Sequence, residues 1–265
     1  MEKVPVSVLI LAKNEEKNIG DCIKSVPFAE DVVVIDDLST DSTAEIAAEL
    51  GARVVNHPLN GDWGAQQTFG VQQARCDWIF ILDSDERVSQ ALGEEIVRLV
   101  KEDDRRCAYV CARLSYFWGQ PLKHGGWYPD YVVRLMPAQG TYYTGVVHQQ
   151  VHHECREVRL PKSMYLIHYP YRDWEHHLSK MNVYTTLAAQ KMREQGKRAT
   201  MFDILAHPLW AALRMYILRS GWRDGRVGLI LSCFHFFYTM EKYVKLYYLD
   251  KTNYHAGDKD SCGNL

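Results

Sequence analysis

Trp78-Ile79-Phe80-Ile81-Leu82-Asp83-Ser84-Asp85-Glu86 runs an apolar stretch of strand length straight into acidic residues. A run this apolar reads as a central strand buried on both faces. In an open α/β sheet, ligands bind at the carboxyl end of such strands. Asp83 and Asp85 stand at that end, with Ser84 between them. The pair suits Mg²⁺ or Mn²⁺, hard ions that take one or two carboxylates and leave positions for substrate phosphates. The competing reading is an ordinary turn or cap, since an isolated Asp-x-Asp is a common arrangement.

On the N-terminal side the pattern repeats. Val6-Ser7-Val8-Leu9-Ile10-Leu11 is a strand, and Lys13-Asn14-Glu15-Glu16 opens a helix to about residue 25. Asp31-Val32-Val33-Val34-Ile35 is a second strand ending in acids, Asp36-Asp37. Ser42, with Glu45 three residues on, forms a capping box for a helix that closes at Gly51. Arg53-Val54-Val55-Asn56 is a third strand, 65–74 a helix, and Ser89 caps another helix to about Glu102. Alternating strands and helices with short connections make a βαβ series. No Gly-x-Gly-x-x-Gly follows the first strand, and no Gly-x-x-x-x-Gly-Lys-Ser/Thr occurs. A nucleotide here would be held by acids at strand ends and through a metal.

The 265 residues suit one large domain with or without an appendage, and 47% hydrophobic residues supply an ample core. A net charge of −2 gives no basic field for nucleic acid. Seven scattered cysteines without Cys-x-x-Cys point to reduced, mostly buried thiols. Met1-Glu2-Lys3-Val4-Pro5 lacks an apolar signal region, so no export is expected, and no run of apolar residues reaches membrane-spanning length.

Beyond residue 108 the pattern changes. Tyr109-Val110-Cys111-Ala112-Arg113-Leu114 and Tyr131-Val132-Val133-Arg134-Leu135 are strands flanking Gly125-Gly126-Trp127-Tyr128-Pro129-Asp130. Glycine and proline shape that loop. Its Trp, Tyr and Asp suit stacking on a sugar and accepting its hydroxyl proton, or else a packed loop covering the sheet.

These residues resemble family-2 inverting glycosyltransferases of the GT-A fold. The carriers are the segment from Val8 through Leu11 to Asn14 and Glu15, the segment from Val34 through Asp36 and Asp37 to Thr43, and Ile81-Leu82-Asp83-Ser84-Asp85-Glu86. His124-Gly125-Gly126-Trp127-Tyr128-Pro129-Asp130, Arg134-Leu135, Val147-His148 and Gly221-Trp222-Arg223-Asp224-Gly225-Arg226-Val227-Gly228 resemble the lipopolysaccharide-core β-glucosyltransferase group. One position departs: Gln149 stands where that group carries an acid.

The resemblance implies an α/β fold with a Rossmann-like, mostly parallel sheet and a C-terminal helical appendage. Residues 1–160 would be the catalytic domain, with the nucleotide-sugar side at about 1–105 and the acceptor side at 106–160. Residues 161–252 would be helical, and 253–265 a disordered tail. Asp36 or Asp37 would read the uracil or ribose of a UDP-sugar, against a capping role. Leu11, Asn14, Glu15, Gln67, Asp83, Ser84, Asp85, Trp127 and Arg134 would border the donor. Asp85 would contact the divalent metal, with Asp83 on the ribose or reaching the metal through water, and His148 would complete the metal site. Asp130 would be the general base, against an ion pair with Arg134 along one strand face.

In the tail, two apolar and aromatic helices at 204–218 and 227–249 are interspersed with Arg and Lys. They suit an interfacial pair on an anionic leaflet, or a subdomain packed on the core. The expected activity is transfer of glucose or a related hexose from a UDP-sugar to an inner-core heptose on a lipid-linked glycan, on the cytoplasmic side and peripheral to the membrane. The alternatives are a different acceptor, a sugar-phosphate nucleotidyltransferase, and a sugar-nucleotide-binding protein without turnover.

Overall fold

The structure is a computed structural model and describes residues 1–145, 149–171 and 174–251. It divides into two compact units, one of Met1–Pro121 with Trp127–Pro170, the other of Leu122–Gly126 with the chain from Tyr171 onward.

The first unit is built on a sheet. In chain order its strands are β1 (Val4–Ala12), β2 (Ala29–Asp36), β3 (Arg53–Asn56), β4 (Trp78–Asp83), β5 (Glu86–Val88), β6 (Cys107–Phe117), β7 (Gln120–Pro121) and β8 (Asp130–Pro137). β9 (Tyr142–Thr144), β10 (Gln150–His152), β11 (Arg156–Arg159) and β12 (Tyr165–His168) follow. The helices between them are α1 (Ile19–Lys24), α2 (Thr43–Glu49), α3 (Trp63–Gln72) and α4 (Gln90–Glu102). The main sheet runs β3-β2-β1-β4-β8-β6-β12-β5; β11 and β7 also pair with β6, and β9 with β10 forms a separate ribbon.

β1 to β4 are mutually parallel. β8 enters antiparallel between β4 and β6. The fold is thus the α/β, GT-A-like arrangement, a sheet parallel on one side and mixed on the other.

Both faces of the parallel half are covered, which is why β1 and β4 carry near-continuous apolar runs, Val8–Ala12 and Trp78–Leu82, rather than alternating. Val8, Ile10, Trp78, Phe80 and Leu82 pack with Ile19 and Cys22 of α1 and with Leu92, Ile96 and Leu99 of α4. On the other face Leu9, Ile79 and Ile81 meet Val71 of α3 and Tyr143 of β9. Burial pushes the Cys111 thiol up to about 12, so it is an inert core residue.

Several local expectations need correction. The segment after β1 is not helical from Lys13: Asn14 takes φ 52° and α1 begins only at Ile19. α3 starts two residues earlier than the pattern indicates, capped by Asp62, whose Oδ1 accepts from the Ala65 N–H at 3.0 Å. The Ser42–Glu45 capping box does not form, and Ser42 makes no side-chain cap. Asp41 takes that place, its Oδ1 accepting from the Thr43 N–H at 3.0 Å.

The second unit holds α5 (Trp174–Glu194), α6 (Met201–Leu213) and α7 (Gly225–Lys251). A π-helical turn, Arg214–Leu218, extends α6, and a 3₁₀ turn, Gly221–Asp224, leads into α7. The expected tail at 253–265 lies outside the described residues.

Candidate active site

Register brings the carboxyl ends of three parallel strands level. Leu11 pairs with Ile35 on one side and Asp83 on the other, and Ala12 pairs with Asp36. The acids read from separate segments of sequence are therefore neighbours at one edge.

The loops after β1 and β2 are laced together. The Asn14 N–H donates to Ser39 Oγ at 2.9 Å, and the Thr40 N–H donates to Asn14 Oδ1 at 2.8 Å. The Glu15 N–H donates to Thr43 Oγ1 at 2.7 Å. Asp36 accepts from both the N–H and the hydroxyl of Ser39, so its carboxylate holds the turn. Asp37 pairs with Lys13 Nζ at 2.8 Å and accepts from the Leu59 N–H at 2.8 Å. Burial opposes ionisation of Asp37, but these donors outweigh it and hold the carboxyl below its usual range. Gln67 is buried on α3, and its Oε1 has no hydrogen-bond partner among the described residues.

At the end of β4 the pattern differs from the sequence expectation. Asp130 and Arg134 share β8, yet they do not pair with each other. Asp130 lies directly across from Arg113 of β6, and Arg113 Nη2 reaches Asp130 Oδ2 at 2.6 Å. Between Val133 and Leu135 the β6–β8 register slips by one residue, and Arg134 is the extra one. Such a bulge re-aims a side chain. Arg134 Nη2 meets Asp83 Oδ2 at 2.6 Å and the two oxygens of Glu86 at 2.7 and 2.8 Å.

Glu86 is fully buried, and burial pushes its carboxyl above the usual range with Asp83 adding to the effect. Burial works against Asp83 too, but Arg134 overrides it and keeps that carboxyl below the usual range.

Asp85 points elsewhere. Its backbone carbonyl accepts from the Tyr169 N–H at 2.9 Å, and His168 Nε2 stands 3.6 Å from Asp85 Oδ2. The other ring nitrogen, Nδ1, lies 3.0 Å from Ser115 Oγ. Ser84 is buried, and its carbonyl accepts from Arg87 at 3.0 Å. Trp127 is half-buried just ahead of β8. His148 lies outside the described residues.

Sequence reading gave no role to Glu86, Arg113 or His168. For His168 a signal existed: Tyr165-Leu166-Ile167 is an apolar run ending in a polar ligand type, as Trp78–Asp83 is. Treating 161 onward as helix concealed it.

Residues 7–166 match Glycosyl transferase family 2. The chain belongs to that family. It is a glycosyltransferase, related to enzymes of lipopolysaccharide core biosynthesis. The lipopolysaccharide core biosynthesis glycosyltransferase LpsC of Rhizobium meliloti (strain 1021) is 29% identical over 257 residues, spanning 92% of this chain and 93% of that one. An uncharacterized glycosyltransferase of Rickettsia typhi is 28% identical over 252 residues, spanning 91% and 86%. Among solved structures, TarS of S. aureus overlays with a TM-score of 0.46 at 16% identity, covering 95% of this chain and 92% of that one. Glucosyl-3-phosphoglycerate synthase of Mycobacterium tuberculosis, in complex with Mn²⁺, UDP and phosphoglyceric acid, gives 0.35 at 23% identity, covering 44% of each.

The donor set of the glycosyltransferase fits a substrate-completed ion. Among the described residues no group of three or more His, Cys, Asp or Glu is placed to hold a metal. Asp85 and the adjoining imidazole of His168 offer an oxygen and a nitrogen, while Asp83 is engaged by Arg134. That suits a cation bound by one or two carboxylates and finished by phosphates and water.

Proposed function

We propose that this glycosyltransferase moves glucose, or a related hexose, from a UDP-sugar to an inner-core heptose of lipopolysaccharide with inversion at the anomeric carbon. The observation that carries the reading is a pair of carboxylate sites at the ends of β4, β8 and β12: Asp85 stands 3.6 Å from His168, and Asp130 is held by Arg113, which also lies 4.0 Å from Asp83.

Asp85, with His168 beside it and Asp83 behind, would hold Mg²⁺ or Mn²⁺. The bound ion would supply Lewis-acid stabilisation of the charge on the departing diphosphate. Asp36, Asp37, Asn14 and Gln67 would border the uridine, and the unpartnered Oε1 of Gln67 is an acceptor ready for a donor N–H or hydroxyl. Trp127 would stack on a sugar ring.

Asp130 is the general base. Both hydrogen bonds from Arg113 land on its Oδ2, at 2.9 and 2.6 Å, so the carboxylate is held in one orientation. Oδ1 takes the proton of an acceptor hydroxyl as that oxygen bonds to the anomeric carbon. The bond from that carbon to the diphosphate oxygen breaks, and UDP leaves on the opposite face. The lipopolysaccharide-core relative supports a lipid-linked glycan as acceptor.

The test incubates the enzyme with UDP-glucose, Mn²⁺ and a truncated core acceptor, and measures glycan product and its anomeric configuration. Asp130→Asn is expected to lower kcat by about 10²–10⁴-fold while UDP affinity holds. Asp85→Ala should weaken Mn²⁺ binding and lower kcat together. Undiminished transfer by both variants would sink the assignment.

A further inference from the structure

α6 is apolar on both of its faces. Ile204 and Pro208 are buried, and the helix packs against α7. The opposite arc is apolar as well: Phe202, Leu205, Leu209 and Leu213, spaced three and four residues apart, are 76, 60, 62 and 51% exposed. Trp210 and Trp222 add exposed indoles nearby in the chain. A helix normally turns polar residues to water, and a contiguous exposed apolar stripe marks an interaction surface.

The charges say what covers it. Between 204 and 223 there is no Asp or Glu, while Arg214, Arg219 and Arg223 are all exposed, followed by exposed Arg226. A second copy of the chain is a poor occupant: each copy would bring Arg214, Arg219, Arg223 and Arg226 against one acid on α6, Asp203, which is already held by Thr200 and His207. Spanning does not fit: α6 with the π-helical turn that extends it rises at most about 27 Å, against about 30 Å of hydrocarbon, and carries Arg214 within it. Among the described residues no helix is long and apolar enough to cross a membrane. Aliphatic and indole side chains fringed by arginine match the boundary between acyl chains and anionic headgroups.

We propose that the exposed face of α6, with the arginine-bearing turns that follow it, docks in the plane of an anionic lipid surface. Phe202, Leu205, Leu209 and Leu213 enter the acyl boundary, Trp210 and Trp222 sit at headgroup level, and the arginines meet lipid phosphates.

The experiment uses the full chain and vesicles of phosphatidylcholine with or without phosphatidylglycerol, read by co-sedimentation and by the shift of tryptophan emission. Binding is expected only to the anionic vesicles and should weaken with salt. Phe202→Glu combined with Leu209→Glu should lower the partition coefficient about a hundredfold or more. Arg214→Gln combined with Arg223→Gln should lower it roughly twentyfold.

All four positions are exposed, so the melting temperature and transfer to a delipidated, soluble acceptor should stay at wild-type values. That separates this proposal from the activity: a dead enzyme that still binds vesicles leaves docking intact. Absence of binding to anionic vesicles would overturn it. So would binding indifferent to both double variants, or a concentration-dependent dimer that Leu209→Glu dissociates.

Discussion

Arg134 shows what one residue's placement can decide. The bulge in β8 turns its guanidinium onto Glu86 and Asp83, and Glu86 has no exposure to water. Removing the cation strands a buried carboxylate, which costs about 3–5 kcal/mol when a partner is deleted, with the residual Arg113 contact at 3.3 Å favouring the lower end. Arg134→Met is therefore expected to be strongly destabilised at neutral pH.

The pH dependence has a definite sign. An acid with a raised folded pKa binds its proton more tightly in the native state, so stability falls as pH climbs above the unfolded value of about 4.3. Loss of Arg134 raises Glu86 further, so the deficit of the variant should widen only once pH climbs past the wild type's own raised Glu86 pKa, and close below it. Denaturant titrations across pH check this, and Glu86→Gln added to Arg134→Met should recover most of the loss. A deficit independent of pH would mean that the arginine acts through packing alone. None of this was legible in the sequence, which offered Asp130 as the general base with an Asp130–Arg134 ion pair as the alternative. A one-residue register slip and a facing Arg113 redistributed the pairs.

At the scale of elements, two segments singled out by resemblance turn out to explain each other. His124-Gly125-Gly126 and Gly221-Trp222-Arg223-Asp224 are a hundred residues apart yet join within the helical unit. The backbone N–H of His124 donates to Asp224 Oδ2 at 2.8 Å, and its ring Nδ1 lies 2.6 Å from Oδ1. The Gly125 N–H donates to the Arg219 carbonyl at 2.9 Å. Gly126 takes φ 91°, and a Cβ there would lie 2.3 Å from Arg219 Nη1. Gly228 admits the backbone of the preceding turn, since a Cβ at that position would lie 1.9 Å from the Gly221 carbonyl oxygen. Backbone cannot yield as a flexible side chain can, so Gly228→Ala should cost about 1–3 kcal/mol, the range for overpacking. Thermal melts followed by helical circular dichroism would show it, and an unchanged midpoint would mean that the close approach is absent. Elements with strong local pattern were readable: the apolar strands β1, β2 and β4, and α4 behind the Ser89 cap, whose Oγ accepts from the Leu92 N–H. Those fixed by tertiary contact were not. β12 is only four residues long and owes its existence to pairing with β6 and β5.

Across the whole molecule, the alternation of strands and helices revealed a mostly parallel sheet, but not the strand order β3-β2-β1-β4 of its parallel half. It did not reveal that β8, arriving more than forty residues after β4, inserts beside it before β6. Contacts of large sequence separation leave no periodic trace. The cores divide in the same way as the units. Val8, Ile10, Phe80 and Leu135 lie in the main core of the sheet unit, whereas Ala189, Ala199 and Leu246 cluster in the helical one. A unit with its own core opens about that core. Phe80→Ala removes a fully buried ring and should cost about 3–5 kcal/mol; Leu246→Ala should cost about 2–5. Native-state hydrogen exchange reads where each loss falls. Phe80→Ala is expected to speed exchange in β1, β4 and α4 while α5 and α7 keep their protection, and Leu246→Ala should do the reverse. Equal loss of protection in both units from either substitution would show a single cooperative block, with the two cores acting as one.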